Sequence, residues 1–379
     1  MKKIILIGPV YPYRGGISHY TGLMYRELSK HYDVEMLSYK MQYPKILFKK
    51  EQRDYKNDSF KIDETNFMIN TANPFNIIRT ANYIKKKKPD MVIIQWWHPY
   101  FAPCYFLLAK FMGKQNLTFV CHNVFPHERF PLDKKLTRLT LKNGKHFIVH
   151  AKEEEAELRQ IMPNPDCRVT PHPSYNAFCF EHMTKAQARE RLGLSMDEKV
   201  LLFFGFVRPY KGLKHLIAAM PKIKEQLGNV KLLIVGEFGN AEYKEGYVSQ
   251  IKHLALSSPG LEADVIINDG YMPDREVEKY FAACDMVVLP YESATQSGIV
   301  QIAYGFGKPV TVTNVGGLPD VVSDGRTGYV APPQDEKALA EAVVRYFAED
   351  KEAEFTGNIA AEAYRFSWER MGEVVEQWI

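Results

Sequence analysis

An α/β protein with two doubly wound, parallel-sheet domains is what the sequence predicts, on three observations. Short, nearly unbroken apolar runs alternate with helical patterns along the whole chain. The alternation occurs twice, on either side of a break at Pro171-His172-Pro173, within a proline-rich stretch at 163–183 that shows no period. The length of 379 residues exceeds one ordinary domain and suits two. Apolar strands with no polar alternation are buried on both faces, so each sheet is parallel and covered by helices on both sides.

In the first half, strands are expected at 3–7, 34–37, 91–95, 117–121 and 146–149. Helices are expected at 17–30, 74–87, 101–111, 133–142 and 152–161. The second half repeats the scheme, with strands at 200–204, 231–235, 264–267, 286–289 and 309–313. Its helices are expected at 213–227, 242–256, 274–282, 299–306 and 336–347. The domains are assigned to 1–180 and 181–365. The amphipathic tail from Trp368 either packs on the second domain or returns to the first, and 366–379 is assigned to the first.

The composition, 46% hydrophobic and 25% charged, is globular rather than disordered. The formal net charge of +4 divides into +12 for residues 1–180 and −8 for 181–379. A basic half suits a polyanionic partner, such as nucleic acid, an anionic membrane surface or a phosphorylated acceptor; a Lys-rich solubilising surface explains it as well. Aromatic and basic residues are not interleaved as in a nucleic-acid module, so no nucleic-acid partner is expected. Five cysteines without a C-x-x-C pair suggest neither a disulfide framework nor a zinc ribbon, and a reducing, cytoplasmic compartment is expected. The apolar run after Lys2-Lys3 stops at Gly8-Pro9 and lacks a cleavage site, so it reads as a buried strand.

In open parallel sheets, ligands lie beyond the carboxyl ends of the strands, so the strand-to-helix turns are the candidate sites. The first turn ends in Gly15-Gly16 where a helix begins, which suits backbone N–H groups approaching an anion or simply a tight turn. It is not G-x-G-x-x-G, which argues against NAD. Arg208 and Lys211 follow the strand at 200–204, placed to neutralise the phosphates of a departing nucleotide diphosphate or to serve as surface charge. Ser297 and Gly298 suit the cap and first turn of the helix at 299–306, with amides open to phosphate oxygens or merely capped. His122 ends the strand at 117–121, where an imidazole polarises a substrate hydroxyl or fills a structural role. His127-Glu128 is not H-E-x-x-H, and no Asp-x-Asp occurs, so no metal is expected.

The order of these turns resembles family 4 glycosyltransferases, retaining enzymes of the GT-B fold. The resemblance covers nearly the whole chain and is strongest at 200–335. It rests on Phe204-Gly-Phe-Val-Arg208-x-x-Lys211-Gly212, Leu232-Leu-Ile-Val-Gly236-Glu237, and Tyr280-x-Ala-x-Cys-Asp285-x-Val-Val-Leu-Pro290. Gly307-Lys-Pro-Val310, Gly316-Gly317-Leu-Pro and Asp324-Gly-x-Thr-Gly328 complete it. It implies two Rossmann-like domains facing a cleft, with a C-terminal helix crossing back to the first. The first domain would bind the acceptor and the second the nucleotide-sugar donor. It implies that Arg208 and Lys211 hold the diphosphate, helped by the Ser297 and Gly298 amides and by Gly15 and Gly16. Glu237 and Tyr271 would line the nucleoside pocket, and His122 would contact the donor sugar.

The family's Glu-x7-Glu is absent: its two positions read Ala294 and Ile302. Glu292, Gln296 and Gln301 are the polar side chains left nearby to meet the donor, with Glu292 or Gln301 standing in for the glutamate on the ribose. The Ala-Thr-Gln-Ser-Gly string, with Gln95-Trp-Trp-His-Pro99, resembles a bacterial subgroup of polysaccharide-assembly enzymes that act on lipid-linked acceptors at the inner membrane face. The expected function is retaining transfer of a hexosyl group from a nucleotide-diphosphate sugar to a glycan or lipid-linked acceptor without a metal. The alternatives are a GT-B-type sugar-nucleotide 2-epimerase and a non-catalytic binder of sugar nucleotides or polyanions.

Overall fold

The structure, a computed structural model, describes residues 1–48, 51–126 and 129–379. The chain divides into two compact units, Met1–Pro171 with Ser367–Ile379, and His172–Phe366. The first contains β1 (Lys3–Ile7), β2 (Asp33–Met41), β3 (Asn66–Asn70), β4 (Met91–Trp96), β5 (Leu117–Cys121), β6 (His146–Val149) and β7 (Asp166–Val169). They form one sheet in the order β3-β2-β1-β4-β5-β6-β7, parallel throughout. The second contains β8 (Lys199–Phe204), β9 (Val230–Gly236), β10 (Val265–Asp269), β11 (Met286–Leu289), β12 (Val310–Thr313) and β13 (Gly328–Ala331). Its order is β10-β9-β8-β11-β12-β13, again parallel.

Every residue of β4, β5, β6, β11 and β12 is buried, as expected of largely apolar strands covered on both faces. β3, β7 and β13 were not expected, and all three are edge strands. An edge strand has one sheet neighbour and a solvated flank, so β7, Asp-Cys-Arg-Val, needs no apolar run. The helix Lys185–Leu192 was also missed, although Thr184 and Gln187 form a reciprocal capping box that is visible in the sequence.

The two units divide at Pro171/His172, at the break read in the proline-rich stretch and nine residues before the assigned end at 180. Residues 172–180 pack on the second unit: the Tyr175 N–H donates to the Gln301 carbonyl at 3.2 Å. The Phe180 N–H donates to Glu278 at 2.6 Å. At the other end Phe366 stays with the second unit, its ring 5.5 Å from Tyr304 and its carbonyl accepting from the Ser174 N–H at 2.7 Å. The following helix, Trp368–Glu376, belongs to the first unit, where the Tyr20 hydroxyl and ring meet Met371 and Trp368.

A buried charge cluster ties the second unit together. Arg189, 1% exposed, donates from Nη2 to both carboxylate oxygens of Asp285, at 2.9 and 3.1 Å. It also donates to the carbonyls of Ala283, Ser195, Met196 and Glu198. Asp285 in turn accepts from the Val200 N–H at 2.7 Å and pairs with Lys185 at 2.5 Å. One carboxylate thus links the starts of β8 and β11 to the first helix of the unit.

Candidate active site

In the second unit the chain runs outward from β8 through β9 to β10, then returns to β11 and runs the other way. The reversal between β8 and β11 opens a crevice at their carboxyl ends, the usual ligand position in such sheets. Residues 205–212 follow β8 and residues 290–298 follow β11, so the expected diphosphate residues border this crevice. The 205–212 loop is seated by close backbone approach. Gly212, at φ 62°, lies so near Pro290 that a Cβ there would sit 1.9 Å from the Pro290 carbonyl oxygen. Gly236, at φ 145°, would place a Cβ 2.0 Å from the Gly205 carbonyl oxygen. The pattern glycines at 212 and 236 therefore let the loops after β8, β9 and β11 touch.

Arg208 is exposed and Lys211 half-buried, and among the described residues neither has a carboxylate within ion-pair reach. Lys211 Nζ lies 5.1 Å from the Tyr291 ring centroid, and the Tyr291 hydroxyl is 3.3 Å from Ser297 Oγ. Ser297 is the N-cap residue of the helix Gly298–Gly305, but its side chain makes no capping bond. Two cations and an uncapped helix N-terminus are thus brought to one end of the sheet. Any anion there meets fixed charge and backbone amides together.

Glu237 and Tyr271 follow β9 and β10 and are half-buried. The Val207 N–H donates to the Glu237 carbonyl at 2.9 Å, which fixes the turn beside Arg208. Asp269, which sequence reasoning missed, accepts from the Phe238 N–H at 3.3 Å and from Lys244 at 3.0 Å. Glu292 pairs with Lys214 at 2.8 Å and with His215 Nε2 at 2.9 Å, and His215 Nδ1 reaches Glu336 at 2.7 Å. The Lys214 hydrogen bond holds the Glu292 carboxyl below its usual range, so it is ionised and anchored. Gln301 is 1% exposed, on the inner side of its helix. Of the two residues offered in place of the missing glutamate, Glu292 is therefore the accessible one. Gln296 is half-buried in the same loop.

In the first unit the reversal falls between β1 and β4. Gly15, at φ 109°, caps the helix Gly16–Leu28, and a Cβ on either Gly15 or Gly16 would meet no other residue within 4 Å. His122 follows β5 and is 9% exposed. Its Nε2 lies 2.8 Å from Gln95 Oε1, so Nε2–H donates to that carbonyl oxygen. Tyr20 meets the His122 ring edge-on at 4.6 Å, and the His150 ring is 5.6 Å away. Sequence reasoning missed Tyr20, Gln95 and His150 as partners of His122. The signal for His150 was present, since it ends β6 as His122 ends β5. His127 and Glu128 lie outside the described residues.

His150 Nδ1 donates to the Thr170 carbonyl at 2.9 Å, and full burial lowers its pKa from 6.5 to about 4. Below pH 6.5 the unfolded chain takes up a proton that the folded one refuses. This site's contribution is therefore complete above about pH 6.5 and falls by about 3 kcal/mol on acidification to about pH 4. Urea denaturation across that range is expected to show the fall. His150→Asn, which keeps a donor for Thr170, is expected to remove this part of the pH dependence.

Among the described residues, no three His, Cys, Asp or Glu side chains are grouped to hold a metal. Among the same residues, no helix is long and apolar enough to cross a membrane. Residues 198–349, inside the second unit, match the family model described as Glycosyl transferases group 1. D-inositol 3-phosphate glycosyltransferase of Segniliparus rotundus is 30% identical over 199 residues, which are 52% of this chain and 43% of that protein. Lipopolysaccharide 1,2-N-acetylglucosaminetransferase of Salmonella typhimurium is 24% identical over 247 residues, 62% of each. The chain spans about half the length of the curated relatives it matches. Among solved structures, Anabaena HepE in complex with UDP and glucose has a TM-score of 0.75 at 18% identity, over 100% of this chain and 99% of that one. Sucrose-phosphate synthase from Thermosynechococcus elongatus has a TM-score of 0.72 at 20% identity, over 100% and 98%. At these identities the likeness is one of fold, and that fold is GT-B: two Rossmann-like, parallel-sheet units of seven and six strands.

Proposed function

We propose that the protein is a glycosyltransferase moving a hexosyl group, with retention and without a metal, from a nucleotide-diphosphate sugar to a glycan or lipid-linked acceptor. The observation that carries this is the pair Arg208 and Lys211, without carboxylate partners among the described residues and beside an uncapped helix N-terminus at the reversal point of the second sheet. The family match over 198–349 and the UDP bound by the HepE neighbour support a nucleotide-sugar donor. Arg208, Lys211 and the amides at Ser297 and Gly298 stabilise the departing diphosphate, the work otherwise done by a divalent cation. The glycosidic bond loosens toward an oxocarbenium-like state, and the acceptor hydroxyl attacks from the face that the diphosphate leaves. Its proton passes to a donor phosphate oxygen. No protein carboxylate acts as nucleophile in this scheme, which suits a loop reading Ala294 and Ile302 where the family has glutamates.

A panel of radiolabelled sugar nucleotides tests the reading. Slow donor hydrolysis without acceptor is the expected result. An isomerised donor would establish a 2-epimerase instead, and binding without turnover a non-catalytic module. An inverted anomer in the product, assigned by NMR, would remove the claim of retention.

A further inference from the structure

A cavity of about 680 Å³ opens in the first unit at the carboxyl end of β2. Lys40, Lys45 and Arg53 line it against the single carboxylate of Glu51. Arg53 is held by neutral groups: Nη2 donates to the Tyr13 hydroxyl at 2.9 Å and the Lys40 carbonyl at 2.7 Å, and Nη1 to the Tyr55 hydroxyl at 3.1 Å. Its guanidinium also lies 5.0 Å from the Tyr13 ring centroid. Among the described residues, three of its five N–H donors are used, and no carboxylate neutralises it. A fixed, half-buried fork with two donors left over is a receptor for a planar or tetrahedral oxyanion.

Phe48 lines the cavity and ends an exposed apolar segment. Ile46 is 84% exposed, Leu47 65% and Phe48 40%, and the sequence flanks them with Lys45 and Lys49-Lys50. Phe48 stacks on Tyr43 at 5.5 Å, and Tyr43 accepts from the Trp97 indole N–H at 3.2 Å, so the segment joins an aromatic wall at the ends of β2 and β4. Three consecutive exposed apolar residues between lysines are costly in water alone and suit an acyl or prenyl chain beneath an anionic headgroup.

We infer that this cavity binds a phosphoryl amphiphile presented by a membrane, with its phosphate on Arg53 and its apolar chain along Ile46, Leu47 and Phe48. Only the naming of that ligand as the acceptor rests on the proposed function. The test is calorimetric titration of the full chain with inorganic phosphate, with decyl phosphate below its micelle concentration, and with phosphatidylcholine vesicles containing phosphatidic acid. Decyl phosphate is expected to bind at least about tenfold tighter than inorganic phosphate, the difference being the apolar contact. Arg53→Gln is expected to weaken both ligands about tenfold or more. Ile46→Ser/Leu47→Ser changes exposed side chains, leaves folding intact and is expected to weaken decyl phosphate and vesicle binding alone. Vesicle binding is expected to be displaced by decyl phosphate.

Equal affinity for the two phosphates, or decyl phosphate binding indifferent to both variants, overturns the inference. Vesicle binding that decyl phosphate does not displace also overturns it, since the attraction is then to charge and not to the cavity. Donor hydrolysis is measured in parallel. Intact hydrolysis with no amphiphile binding sinks this site alone. Amphiphile binding in a protein that cleaves no sugar nucleotide supports the site and sinks the transferase reading.

Discussion

Replacing Arg208 or Lys211 with alanine is expected to slow donor cleavage by on the order of 100-fold or more for each. Fixed charge that stabilises a leaving group acts mainly in the transition state, so the loss appears in kcat more than in KM. Among the described residues neither side chain makes an ion pair or a side-chain hydrogen bond, and Arg208 is exposed; the thermal midpoint is expected to stay near that of the parent protein. Arg208→Lys separates charge from geometry, because it keeps the cation and removes the fork. The double variant is expected to lose less than the product of the single losses, since both cations act on one diphosphate. Initial rates with a verified donor decide the matter: undiminished turnover in both single variants sinks the assignment.

The largest expected loss of stability is at Asp285. Asp285→Ala leaves Arg189, 1% exposed, with a buried and uncompensated charge, and strips the Val200 N–H of its acceptor, while Lys185 keeps its pairing with Glu352. Breaking one partner of a buried pair typically costs about 3–5 kcal/mol. The loss belongs to the second unit, so chemical denaturation is expected to show that unit unfolding at lower urea while the first unit is spared. Replacing the pair together by apolar residues, Arg189→Met/Asp285→Leu, is expected to recover part of the loss, because no isolated charge remains. A single Asp285→Ala variant with parental stability would show that the four carbonyls around Arg189 suffice to hold its charge.

The interior of both sheets was legible in the sequence because parallel strands buried on two faces are apolar at nearly every position, as in the Met286–Leu289 strand, Met-Val-Val-Leu. The edge strands β3 and β7 were not legible, since one flank faces solvent and their sequences carry no such run, and the apolar run of β13, Tyr329-Val330-Ala331, is too short to stand out. The candidate site divides in the same way. Arg208, Lys211 and Gly298 could be singled out as candidates because they follow strands at a sheet's carboxyl end, a rule of topology readable along one segment. The partners of His122 were not found, because Tyr20, Gln95 and His150 come from three distant segments. Glu292 was read as an available carboxylate, whereas Lys214, His215 and Glu336 anchor it through contacts between separate elements.

The sequence by itself determined the fold class, the two parallel sheets and the strand-end positions of the phosphate-binding candidates, because local periodicity and strand order along the chain suffice for those. Only the tertiary structure decided which carboxylates are already paired, and that Arg53 stands among neutral partners beside an exposed apolar segment. Each of these depends on side chains far apart in the chain meeting in space. Burial and charge compensation are properties of that meeting and not of any one segment.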